Sequence, residues 1–150
     1  MTTSDSTLIL LDTNVLVYAA DESSEFHEQS KAVRDAGAKG DIAMCLCPQV
    51  LCELYAVTTD PRRVTNPLSR EQAVAEVENY YRAKRFTKIY PNPEMMRVIF
   101  ELLHKYSVTR QEIFDLQLVA TMLSNDVRKI YTFNHSHFRT FESEIEILIP

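Results

Sequence analysis

The chain has 150 residues, 45% of them hydrophobic and 25% charged, a size and balance that suit one globular domain with its own core. Its two glycines, Gly37 and Gly40, are too few for a Gly-rich phosphate cradle, which argues against P-loop and dinucleotide-cofactor enzymes. A net charge of -5 argues against a protein that coats nucleic acid over its whole surface, and confines any phosphate-binding surface to a local patch.

Thr7–Leu11 is a short apolar run of the kind found in a strand covered on both faces, and it stops at Asp12. Helical spacing then begins near Val15, with Asp12 or Thr13 available as cap. His27 to Lys39 reads as a helix closed by Gly40, and Ile42–Cys47 as the second strand. Pro48 suits the first turn of a helix running to about Thr58. Asp60-Pro61-Arg62-Arg63 and Asn66-Pro67 mark a loop, after which Ser69 and Gln72 form a capping box for a helix through about Lys84. A third strand is expected at Thr87–Tyr90, then an amphipathic helix over Glu94–Lys105. Thr109 and Glu112 resemble a second capping box, opening a helix to about Ser124, and Arg128–Phe133 and Glu146–Ile149 complete the strands. Strands separated by helices predict an α/β fold with a mainly parallel sheet, in one domain spanning 1–150.

The polar start Met1–Ser6 and the shortness of the Leu8–Leu11 run give no secretory leader or membrane span, so a cytoplasmic protein is expected. In that compartment Cys45, Cys47 and Cys52 read as free thiols on a buried strand-to-helix passage. A zinc site built from them, or from His135 and His137, is the weaker reading.

Ligands of open α/β sheets gather outside the carboxyl ends of the strands. Asp12 ends the first strand, Asn134 and His135 follow a late one, and Glu53 and Asp115 sit in helices among apolar neighbours. No Arg or Lys is adjacent to these acids, and a buried carboxylate without a partner is costly. A divalent cation held by oxygen ligands, Mg²⁺ or Mn²⁺, would relieve that repulsion. The simpler alternatives are a helix cap for Asp12 and half-exposed helix edges for Glu53 and Asp115. Glu112 lies one turn before Asp115 and is either a supporting acid or a solvated residue favoured by the helix dipole. Arg62 and Arg63 form a local basic cluster suited to phosphate contact, and His135 is a further candidate for contact with a phosphate-bearing ligand.

Four segments carry a resemblance. Leu10-Leu11-Asp12-Thr13-Asn14-Val15-Leu16, Pro48-Gln49-Val50-Leu51-Cys52-Glu53-Leu54, Phe114-Asp115-Leu116-Gln117-Leu118-Val119-Ala120 and Tyr131-Thr132-Phe133-Asn134-His135-Ser136-His137-Phe138 are similar, in order and interval, to the motifs of PIN domains. The likeness is strongest to VapC-type toxins of toxin–antitoxin pairs. It implies a three-layer α/β/α sandwich and a metal-dependent ribonuclease with Asp12, Glu53 and Asp115 as catalytic, Mg²⁺- or Mn²⁺-binding acids. Thr13, Asn14, Thr132 and Asn134 match supporting positions, Asn134 standing where many members carry Asp. The resemblance also implies an RNA substrate (tRNA, rRNA or mRNA), a homodimer and a VapB-type antitoxin. Two other readings remain open at this point. A haloacid-dehalogenase-like phosphatase also starts with a strand and an Asp, but Asn14 occupies the position of its second acid. A PIN-like binding module without turnover is favoured only by Asn134.

Overall fold

The computed structural model describes residues 7–150; the polar stretch Met1–Ser6 lies outside the described residues. Strand β1 (Ile9–Leu11) leads through Asp12 into helix α1 (Thr13–Ala20). Helix α2 (His27–Lys39), strand β2 (Met44–Leu46) and helix α3 (Pro48–Thr58) follow, with Pro48 in the first turn as its fixed φ and missing N–H favour. Helix α4 (Arg70–Arg82) opens on the complete Ser69–Gln72 capping box, and strand β3 (Phe86–Lys88) comes next. Helices α5 (Met95–Lys105) and α6 (Glu112–Ser124) precede strand β4 (Lys129–Tyr131), the short helix α7 (His135–Phe138), a 3₁₀ turn over Arg139–Phe141 and strand β5 (Glu146–Leu148).

The sheet runs in the order β3-β2-β1-β4-β5, and all of its strand pairs are parallel. That agrees with the buried, unbroken apolar character of β1 and β2. Helix α1 packs on both α2 and α3, and α3 on α4, whereas α5 packs on α6 and α6 on α7, giving helical layers on both sides of the sheet. From β1 the chain moves outward to β2 and β3, then returns across the sheet to place β4 on the other side of β1. The β1–β4 boundary is therefore the topological switch point, where a crevice opens beyond the carboxyl ends of the strands.

The two glycines have separate steric reasons. Gly40 ends α2 at φ 81, the left-handed region in which a Cβ is strained. At Gly37 a Cβ would stand 2.6 Å from the sulfur of Met44 and 2.7 Å from the ring of Phe86, so α2 sits against the sheet too closely for any side chain there.

Three local features differ from expectation. The capping box at Thr109 is only half formed. Arg110 takes φ 55, and the Glu112 carboxylate accepts from both the N–H (3.3 Å) and the hydroxyl (3.1 Å) of Thr109 instead of receiving a cap in return. Strand β3 ends at Lys88, short of Tyr90, because Pro91 and Pro93 offer no ladder donor to the segment beyond. The residues after β4, read as a loop, wind into α7, whose four residues are too few to show a helical period.

Candidate active site

At the switch point lies a cavity of about 430 Å³ whose walls include Asp12, Glu53 and Asp115. Asp12 is 6% exposed, Asp115 half-buried and Glu53 exposed, so burial of the acids is graded rather than uniform. Three elements supply them: the end of β1, the second turn of α3 and the first turn of α6. Thr13, Asn14 and Asn134 also border the cavity.

Asp12 is held from several directions. One of its oxygens accepts from the backbone N–H of Thr13 at 2.8 Å, which makes Asp12 the cap of α1 as well as a site residue. The other accepts from the hydroxyl of Thr132 at 2.8 Å and from the Asn14 amide at 3.3 Å. Thr132 is fully buried, and its oxygen also accepts from the Asn14 amide (3.2 Å) and from the backbone N–H of Asn134 (2.9 Å). The Asn14 carbonyl oxygen in turn accepts from the N–H of Phe133 at 3.2 Å. One hydroxyl and one carboxamide thus lock the end of β1 to the end of β4. Thr13 extends the frame to α3 by donating to the Val50 carbonyl at 3.3 Å.

Every hydrogen bond to Asp12 comes from a neutral donor. Burial pushes its carboxyl above the ordinary range; the bonds from Thr132 and Thr13 oppose that rise, and the charges of Glu53 and Asp115 add to it. Burial also raises Asp115, helped by Glu53 and Glu112 and opposed by His137. The pocket is therefore short of positive charge. Its donor set consists of carboxylate, hydroxyl and amide oxygens, which matches a hard divalent cation. As placed, however, no three His, Cys, Asp or Glu side chains among the described residues stand close enough to hold one ion together. The fit therefore lies in charge and donor chemistry.

The basic candidates separate. Arg63 borders the cavity, and no ion pair among the described residues engages it. Arg62 is not part of the wall; it turns to Asp60, with a bond of 3.1 Å from its guanidinium and another of 2.9 Å from its backbone N–H. His135 likewise does not border the cavity, whereas His137, two residues on, does. The α7 turn makes that exchange, and sequence reading without α7 had no signal to find it. Glu112 remains near enough to influence Asp115, although its carboxylate bonds to Thr109. Of the three thiols, Cys45 and Cys47 are buried and Cys52 is exposed, a correction to the expectation that all three are covered.

These features define an α/β protein with a carboxylate-lined cavity at the switch point of a parallel sheet. The same combination appears in known proteins. Residues 9–142 match the PIN domain family. The chain is 30% identical over 135 residues to "Ribonuclease VapC24" of Mycobacterium tuberculosis, an alignment covering 89% of this chain and 91% of that one. Among solved structures, VapBC2 from Rickettsia felis bound to a promoter DNA fragment superimposes with TM-score 0.65 at 17% identity, covering 95% of this chain and 98% of that one. Mycobacterium tuberculosis VapC20, a Sarcin-Ricin loop cleaving toxin, gives TM-score 0.64 at 13% identity over 87% of this chain and 93% of that one. The chain belongs to the PIN-domain family.

Proposed function

We propose that this protein is a Mg²⁺- or Mn²⁺-dependent endoribonuclease, the toxin half of a toxin–antitoxin pair, folded as a single PIN domain over residues 1–150. The observation that carries this reading is Asp12: a buried carboxylate, bonded only by neutral groups, facing Glu53 and Asp115 across one cavity. The likeness to "Ribonuclease VapC24" supports RNA as the substrate class, whether tRNA, rRNA or mRNA. Solved VapBC relatives support a VapB-type antitoxin as partner, and the family resemblance supports a homodimer.

Asp12, Asp115 and Glu53 would hold the cation. When bound, it would polarise a phosphodiester and lower the pKa of attacking water. The chain's own residues set the frame for that chemistry. Thr132 and the N–H of Thr13 fix both oxygens of Asp12, Asn14 braces Thr132, and Arg63 brings the positive charge that the acids lack toward an incoming phosphate. Asn134 offers an amide oxygen where an acid would have added repulsion.

A second reading, a PIN fold that binds RNA without cutting it, draws on the separation of the three acids and on the neutral Asn134. Both readings meet the same experiment. Purified protein is incubated with total tRNA and ribosomal RNA, with Mn²⁺ or Mg²⁺ and with EDTA, beside Asp12→Asn. Discrete cleavage that both EDTA and Asp12→Asn abolish supports the nuclease; binding without cleavage under every condition refutes it.

A further inference from the structure

Next to the acidic cavity lies a second one, of about 370 Å³, between the first half of α3, Pro91 and the Phe114-Gln117-Thr121 face of α6. Its volume is within the roughly 300–1,000 Å³ range of small-ligand pockets. The two share Gln49, Glu53 and Phe114 as a common wall. That wall is fixed in place: the Gln49 amide donates to the Phe114 carbonyl at 3.1 Å, tying α6 to α3.

Phe114 is the unusual member. It is 56% exposed, immediately before Asp115, in a helix whose other apolar residues Leu116, Leu118 and Val119 are buried. A phenyl ring left in water forfeits the stabilisation that burial would give it, and this one stands on the wall shared by the two cavities, where a bound ring would cover it. Behind it, Cys47, Pro48 and Pro91 make the second cavity largely apolar, and Gln117 contributes a carboxamide. No Arg or Lys borders this space, and the Glu53 carboxylate on the shared wall repels anions. It is therefore unsuited to a phosphate and suited to a flat, neutral, partly polar ring.

We propose that this second cavity is a nucleobase subsite, in which the base adjoining the scissile phosphate stacks on Phe114 and meets the Gln117 carboxamide with its edge. The inference rests on the ribonuclease reading, since the shared wall places the occupant one step along the polymer from the phosphate beside Asp12 and Asp115. Stacking is available to all bases because each has a π-face, and the carboxamide, donor and acceptor at once, supplies discrimination among them.

The test uses the full chain. In an Asp12→Asn background with Mg²⁺, a labelled mixed-sequence single-stranded RNA is titrated by fluorescence anisotropy against Phe114→Leu and Phe114→Trp. Phe114→Leu should weaken binding by about 5- to 150-fold, as loss of a stacking platform does, and Phe114→Trp should keep it. In the otherwise wild-type chain, cut sites in total RNA are mapped by 5′-end sequencing, and Gln117→Ala should relax base preference at one position flanking each cut. Equal binding by Phe114→Leu and its parent overturns the subsite. If Phe114→Leu does not fold, unchanged base preference in Gln117→Ala overturns it instead. A wild-type chain that neither binds nor cuts RNA sinks the nuclease reading and the subsite together, whereas cutting that ignores Phe114 and Gln117 sinks the subsite alone.

Discussion

The hydroxyl of Thr132 donates to the carboxylate of Asp12 at 2.8 Å, joining residues 120 positions apart at the centre of the candidate site. Around that bond the ends of β1 and β4 are held in register by the pairing of Leu11 with Tyr131 and by the bond from the Asp12 N–H to the Tyr131 carbonyl at 3.0 Å.

Replacing Thr132 with valine keeps the shape and removes the hydroxyl. Asp12 loses a donor, and the N–H of Asn134 loses an acceptor. Unfolding in urea should show a loss of about 1–3 kcal/mol, the cost of leaving buried polar groups unpaired. RNA cleavage should fall roughly 10- to 100-fold, as when the support of a metal-binding side chain is removed. Thr132→Ser should recover most of both.

Charge at Asp12 and Asp115 opposes folding. In the unfolded chain both carboxyls titrate near 3.8, and in the folded protein both are raised. The folded state therefore binds these protons more tightly. The stability they contribute is full below pH 3.8 and is lost as pH rises through their raised folded values. Without divalent cations, Asp12→Asn should thus melt above the wild type at pH 7, and the gap should close as pH is lowered below 3.8.

Adding Mn²⁺ at about 100 times its dissociation constant should stabilise the wild type by about 2.7 kcal/mol. For a chain of this size that is a rise in melting temperature on the order of 5–10 °C. Asp12→Asn should show much less of this rise. Calorimetric scans with EDTA and with Mn²⁺ read both effects.

Arg63 and Arg62 are neighbours with different surroundings, and salt dependence should separate them. Arg63→Ala should make log K for RNA binding less steep against log salt by about 0.7–0.9, one phosphate contact fewer. Arg62→Ala should leave that slope unchanged, because its guanidinium is engaged with Asp60 away from the cavity wall.

The three thiols should react in two classes. Burial pushes Cys45 to about 12 and Cys47 to about 11, and both are covered, whereas Cys52 is exposed. Native alkylation at pH 8 followed by mass spectrometry should mark Cys52 alone, and the other two only after unfolding.

Much of this architecture was readable in the chain because local signals agreed with the tertiary outcome. Gly40 stops α2, Pro48 starts α3, and Ser69 with Gln72 starts α4, each through a backbone requirement contained within four residues. The acids were legible as chemistry set among apolar neighbours. Their grading was not: Glu53 and Cys52 sit on the open side of α3, and the pattern Leu51-Cys52-Glu53-Leu54 does not tell which side the sheet covers. The partners of Asp12 were legible only through the family resemblance, which marked Thr13, Asn14 and Thr132 as supporting positions, since a bond spanning 120 residues leaves no local trace. Which of His135 and His137 reaches the cavity is not legible either, because it is set by the turn of α7, which puts His137 on the wall and leaves His135 off it.

The late position of β4 has a consequence during synthesis. While translation is in progress, β1 and α1 can emerge from the ribosome and pack, but Asp12 has no Thr132 hydroxyl and the cavity no Asn134 or His137 wall until β4 and α7 have followed. A half-made chain therefore carries no finished cavity, because strand order sets the first strand beside the fourth.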